Sequence, residues 1–257
     1  MILRRTLLIA LAVLSISSRA EVVEQTVSLP DALGSGVMYT NSQTTQPGVG
    51  VIVVHEWWGL NDYARSRAKQ LAELGYSSIA VDMYGNGKVA EHPEDAKAFM
   101  QAAFAESDKM NARFNAAKAI LADLKSVDTQ KIYAIGYCFG GAVVLGQARS
   151  GNDLAGVASF HGMLGTETPA QKGQVKARIL VATGAADPYV PAEQVVGFVQ
   201  EMTNAEAEFE LMSFPGVVHS FTNPGATEIG RKFGMPTAYD QNADEQSWAA
   251  LLQMLAD

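Results

Sequence analysis

From residue 49 to residue 255 the chain alternates short apolar runs with stretches of helical spacing, and that alternation leaves few folds open to it. Val49–His55, Val-Gly-Val-Ile-Val-Val-His, is continuously apolar, as a strand covered on both faces must be. Ser78–Tyr84, Lys131–Tyr137, Gly156–His161, Ala177–Thr183 and Glu208–Phe214 read as further strands. Between them lie helical patterns. Tyr63–Leu74 is capped by Asn61 and stopped by Gly75, and Pro93 to about Lys125 forms two helices or one broken one. Helices also follow from about Gly140 to Arg149, over Pro191–Met202 and over Glu245–Leu255. Upstream, Glu21–Leu29 and Gly36–Thr40 read as short strands about a Pro30-Asp31 turn. Strand followed regularly by helix predicts a mostly parallel sheet flanked by helices on both faces. Residues 21–257, part of a chain that is 48% hydrophobic, suffice for one core and are expected to form a single domain. In such sheets chemistry collects at the carboxyl ends of the strands.

The strand ending at Tyr137 runs without a loop into Gly136-Tyr137-Cys138-Phe139-Gly140-Gly141. This is the Gly-x-nucleophile-x-Gly elbow of the α/β-hydrolase fold, with cysteine in the nucleophile position. The turn is too sharp for side chains beside the nucleophile, so glycine is needed at 136 and 140. A helix N-terminus favours a thiolate, and the backbone N–H of Phe139 can receive a developing oxyanion. A lone Gly-x-Cys-x-Gly reads equally well as a buried cysteine in a tight turn. Its place between an apolar strand and a small-residue helix favours the elbow.

An acid and a histidine then follow in the order this fold uses. Asp187 lies just past the strand Ala177–Thr183, and His219 in the loop after Glu208–Phe214. Singly they read as a turn residue and an unremarkable loop histidine; together they predict a Cys138–His219–Asp187 relay. Glu56 ends the strand Val49–His55 and would face the same site, while the N–H of Trp57 lies where the fold supplies a second oxyanion donor. Several aromatic residues near strand ends, Trp58, Tyr84 and Phe221 among them, are candidates for an apolar substrate pocket.

Other chemistries find little support. His55-Glu56 would need a histidine at 59 to bind zinc as H-E-x-x-H, and residue 59 is glycine. Gly85-Asn86-Gly87-Lys88-Val89-Ala90 imitates a dinucleotide fingerprint but opens no helix, so it reads as a loop. No metal or cofactor is expected. A serine-type esterase built on Ser159 is a weaker reading.

The N-terminus reads as a leader: a basic start through Arg5, an apolar run from Thr6 to Ile16, and small residues Ser18 and Ala20 before a cut. Residues 1–20 are therefore expected to be cleaved and the protein to be periplasmic or secreted; an uncleaved anchor or a buried N-terminal helix is the alternative. Cleavage removes three arginines and takes the net charge from −8 to −11. An acidic chain of this kind has no footprint for nucleic acid and no basis for stable membrane association once the leader is gone. A monomer is expected, with a dimer as the alternative. Cys138 is the only cysteine, so no intramolecular disulfide can form. In an oxidising compartment a lone thiol must be buried or used.

The combination of His55-Glu56-Trp57-Trp58-Gly59-Leu60, Gly136-Tyr137-Cys138-Phe139-Gly140-Gly141, Asp187 before a proline-bearing turn and His219-Ser220-Phe221 resembles the dienelactone hydrolase family from about Val49 onward. The resemblance implies Cys138, His219 and Asp187 as a catalytic triad, with Glu56 holding the resting thiol until substrate arrives. It also implies a substrate-carboxylate grip made of two arginines. Here Lys97, or nearby Lys88, stands in place of the first, and Thr222-Asn223-Pro224 in place of the second. The expected activity is hydrolysis of a small ester, lactone or thioester. The alternative is a non-catalytic binding or thiol redox-sensing protein on the same fold.

Overall fold

A computed structural model describes residues 21–257; the expected leader, residues 1–20, lies outside the described residues. Eight strands form one sheet: β1 (Val22–Leu29), β2 (Gly34–Asn41), β3 (Gly48–Val54), β4 (Ser77–Val81), β5 (Val127–Tyr137), β6 (Gly156–Phe160), β7 (Arg178–Gly184) and β8 (Phe209–Phe214). Their order is β1-β2-β4-β3-β5-β6-β7-β8. β1 pairs antiparallel with β2 and β2 with β4; every other pairing is parallel. The mostly parallel sheet expected from the sequence is the sheet observed.

The continuous apolar runs are explained by cover on both faces. Ile52, Val54, Ile79 and Val81 point to one face and pack with Phe114 and Leu121 of α3 (Ser107–Ala122), Val144 of α4 (Phe139–Arg149) and Phe198 of α5 (Ala192–Asn204). Their neighbours Val51, Val53 and Ala80 point to the other face, against Leu71 of α1 (Asp62–Glu73) and Leu251 and Leu255 of α7 (Gln241–Ala256). Successive strand residues alternate faces, so a two-sided core requires every position to be apolar.

The departures from expectation are local and have physical causes. As the sequence allowed, the helical stretch after Pro93 is two helices, α2 (Pro93–Ala105) and α3, broken at Glu106, whose φ −104° and ψ 48° leave the helix; the departures lie in other elements. β4 stops at Val81 rather than Tyr84 because the Asp82 carboxylate accepts the backbone N–H groups of Tyr84, Gly85 and Gly87. These bonds bind the segment after β4 into the loop expected of it. β5 starts at Val127, where the polar Asp128–Lys131 stretch concealed it, and its register with β3 shifts between Gly48 and Gly50. A short helix, α6 (Ala226–Phe233), was not foreseen; it stands between the His219 loop and α7.

Candidate active site

The elbow is set by sterics. Cys138 has φ 53° and ψ −112°, a strained conformation for a side-chain-bearing residue. Its N–H is held by Phe160 O at 3.0 Å, and the next turn is pinned where Gly140 N donates to His55 O at 3.1 Å. A Cβ on Gly136 would lie 2.0 Å from Gly140 O, and one on Gly140 only 2.3 Å from Val54 O. Both flanking glycines are obligatory, as the sequence implied.

Asp187 and His219 meet. His219 Nδ1 donates to Asp187 Oδ2 at 2.7 Å, and Asp187 Oδ1 accepts the Tyr189 N–H at 2.8 Å. Both side chains are buried. Burial alone would push His219 down, but the charge of the facing Cys138 sulfur and the hydrogen-bonded Asp187 carboxylate raise it to about 10. The three groups predicted from their order along the chain thus form one continuous array from three strand ends.

Glu56 is buried beside them. Its Oε1 accepts Ser220 Oγ–H at 2.8 Å and its Oε2 accepts an Asn223 amide proton at 2.7 Å. Desolvation raises its pKa, while those two hydrogen bonds and the charges of His219 and Arg67 oppose the rise. The carboxylate makes no hydrogen bond to Cys138 in this arrangement.

The two N–H groups expected to face a substrate oxygen have no acceptor among the described residues: Phe139 N–H in the first turn of α4, and Trp57 N–H. Sequence reasoning missed what orients the second. His55, fully buried, donates from Nδ1 to Glu56 O at 2.5 Å, and its Nε2 accepts Met83 N–H at 3.1 Å. Because a peptide is planar, anchoring Glu56 O turns the N–H of Trp57 the opposite way. Burial pushes His55 down to about 4, so the ring is neutral, as that donor–acceptor pattern requires.

His161 is the second residue missed. It directly follows β6 with φ 43°, is wholly buried, and lies edge-to-face on His219 with ring centroids 5.1 Å apart. Its Nε2 meets Thr222 Oγ1 at 2.8 Å, and Tyr63 OH reaches the same oxygen at 2.6 Å. Arg67, ion-paired with Asp244 at 2.5 Å, donates to Thr222 O. Burial, then the charges of His219 and Arg67, hold His161 well below the usual histidine range. Tyr189 packs on His219 as well, at 5.0 Å. Only the adjacency of β5 and β6 could have signalled His161, since nothing in the Phe160-His161-Gly162 stretch marks it.

A cavity of about 320 Å³ opens over Cys138 and His219. Trp57, Trp58, Lys97, Met100, Met163, Ile229 and Met235 contribute to its wall, with Ser220, Asn223 and Thr237. Of the four candidate substrate contacts, Trp58 and Lys97 line it. The other two do not. Tyr84 lies outside it, its hydroxyl donating to Trp57 O at 2.8 Å, because the Asp82 loop turns it inward. Phe221 is wholly buried against His161 and Phe214. Lys88 sits over the Phe99 ring, away from the cavity. Ser159, inside β6, is buried beneath Gly141 and Gly162 and does not reach the cavity. Among the described residues no three His, Cys, Asp or Glu side chains are grouped to hold a metal ion.

Sheet order, the sharp turn at Cys138 and the cysteine–aspartate–histidine order of strand ends define the α/β-hydrolase fold. The chain belongs to the dienelactone hydrolase family, whose model matches residues 35–257. A dienelactone hydrolase-like promiscuous phosphotriesterase from metagenomic libraries superposes with a TM-score of 0.84 at 32% identity, over 91% of this chain and 98% of that one. Protein usf of Aquifex pyrophilus is 30% identical, over 71% of this chain and 80% of the relative. The dienelactone hydrolase of Anabaena variabilis shares the fold at 16% identity, with a TM-score of 0.58 over 83% of this chain and 94% of that one.

Proposed function

We propose that the protein hydrolyses small esters or lactones through a covalent thioester on Cys138. The observation that carries this reading is the placement of a strained cysteine beneath an open cavity, beside a buried histidine that is itself bonded to a carboxylate. His219 takes the thiol proton. Cys138 Sγ attacks the carbonyl carbon, and the carbonyl oxygen gathers charge against the N–H groups of Trp57 and Phe139. As the C–O bond breaks, His219 gives its proton to the leaving alkoxide. Water then enters, loses a proton to His219, attacks the thioester, and the thiolate leaves. Asp187 keeps the imidazole in the Nδ1–H tautomer throughout. A thiolate leaves more readily than an amide nitrogen, so amides are poorer substrates than esters.

The reading is tested with enol-lactones, aryl esters and thioesters, with a phosphotriester added because a relative is described as a phosphotriesterase. Wild-type protein should cleave members of this panel and give a burst of alcohol; Cys138→Ala and His219→Ala should abolish turnover. Peroxide-dependent modification of Cys138 without any turnover would instead identify a thiol sensor. Export belongs to the same reading: N-terminal sequencing of the mature protein should begin at Glu21.

A further inference from the structure

The cavity over Cys138 is poor in anything that could hold a negative charge. Its wall is built from Trp57, Trp58, Met100, Met163, Ile229 and Met235, and the three methionines arrive from separate elements: α2, the loop after β6 and the loop after α6. Thioethers are soft and adapt to varied apolar shapes. Much of the polar lining is already engaged; Tyr189, half-exposed at the mouth, and the second Asn223 amide proton are neutral donors. Ser220 commits its one hydroxyl proton to Glu56, and Thr237 commits its own to Ala226 O. Asn223 gives one amide proton to Glu56, and its oxygen accepts Gly225 N–H. The His219 charge is faced by Cys138 and Asp187, and Arg67 lies outside the lining, tied to Asp244 and Thr222 O. Lys97, on the exposed side of α2, is the remaining cation at the rim. An entering carboxylate would exchange its water for thioether and indole, beside the buried carboxylate of Glu56.

We infer that the site selects uncharged esters or lactones, apolar on both sides of the scissile bond, and rejects analogues that carry a carboxylate. This rests on the hydrolase reading above and narrows it to a substrate class. One consequence follows from the reaction itself. Hydrolysis turns a neutral ester into an acid that ionises, so the product is the species the cavity does not hold, and it leaves.

The test is a matched pair differing in one charge: methyl 3-acetoxybenzoate and 3-acetoxybenzoate. Corrected for their hydroxide-catalysed rates, kcat/KM should favour the methyl ester by at least ~30-fold, the size set by stranding an anion without partners. The preference should persist at about 1 M salt, where screening acts within ~3 Å. Persistence separates the cavity from repulsion by the protein's net negative charge. Rates within about threefold, a preference for the anion, or a gap that salt closes would overturn the inference. A second arm needs no turnover. Cys138→Ala should bind methyl 3-acetamidobenzoate at least ~30-fold more tightly than 3-acetamidobenzoate by calorimetry. If neither ester is cleaved but this binding preference holds, the hydrolase reading fails and the cavity's selectivity stands; equal binding defeats the selectivity alone.

Discussion

Replacing Asp187 with asparagine keeps its shape and removes its charge, and the surrounding hydrogen bonds decide which way the amide turns. Tyr189 N–H points at Oδ1 from 2.8 Å and fixes the amide oxygen there. The NH₂ group must then face His219 Nδ1, which sits 2.7 Å from the present Oδ2. Two donors cannot share that contact. The imidazole has to give up its Nδ1 proton and stay as the neutral Nε2–H tautomer, which can no longer take the Cys138 proton to form the imidazolium–thiolate pair. That wrong tautomer costs on the order of 10⁴ in kcat, about 5.5 kcal/mol. A second magnitude concerns pH. Losing a buried carboxylate neighbour lowers the titration of His219 by ~1–3 units, equivalent to about 1.4–4 kcal/mol. The imidazolium is the form that pairs with the attacking sulfur. Wild-type protein therefore keeps it until pH rises through about 10, and the variant loses it at ~7–9. Nitrogen NMR of labelled histidine reads tautomer and titration together, and burst kinetics with an aryl ester reads the rate. A variant within tenfold of wild-type kcat, with the His219 midpoint unmoved, would refute the reasoning.

The remaining expectations are as direct. His55→Ala should lower kcat roughly 10- to 100-fold with little change in KM, because one of two oxyanion donors loses its orientation; a change confined to KM would show that His55 does not aim Trp57. Gly140→Ala should destabilise by about 3 kcal/mol or more in urea, since its Cβ meets backbone oxygens that cannot step aside; an unchanged midpoint would contradict the elbow geometry. His55 titrates near 4 in the folded chain and near 6.5 unfolded, so the stability it contributes above pH 6.5 drains away on acidification. The loss reaches about 3 kcal/mol by pH 4, with His161 adding to it and Glu56 opposing it. Urea midpoints at pH 7, 5 and 4 measure the balance, and a flat series would show that the histidines are not buried neutral. Glu56→Gln removes a negative charge beside Cys138 and should speed its alkylation by iodoacetamide roughly three- to tenfold; an unaltered rate would remove Glu56 from control of the thiol.

What the sequence disclosed, and what it hid, follows from how each feature is encoded. Strands buried on both faces must be apolar throughout, so β3 and β7 were plain. The elbow was plain because steric exclusion demands glycine at fixed offsets from Cys138. Asp187 and His219 stood out by order along the chain. Orientation, by contrast, is not written in proximity to a strand end. Tyr84 and Phe221 lie near such ends, yet Asp82 pulls one loop inward and His161 with Phe214 buries the other ring. α6 escaped notice because eight residues beginning after Pro224-Gly225, with Ile229 and Phe233 as their large apolar groups, carry too little periodicity. His55 and His161 were hidden for another reason. Their importance lies in carbonyls and rings supplied by distant parts of the chain.

The sheet order carries a consequence for how the protein comes into being. Cys138 follows β5, Asp187 follows β7 and His219 follows β8, and β5 to β8 lie side by side in chain order. On the proposed mechanism, a chain synthesised only as far as β6 owns the nucleophile but neither its base nor the orienting acid. On that mechanism reactivity requires β8: without it Cys138 lacks the His219 that would take its proton. A C-terminal truncation ahead of β8 would leave most of the sheet sequence in place and no hydrolase.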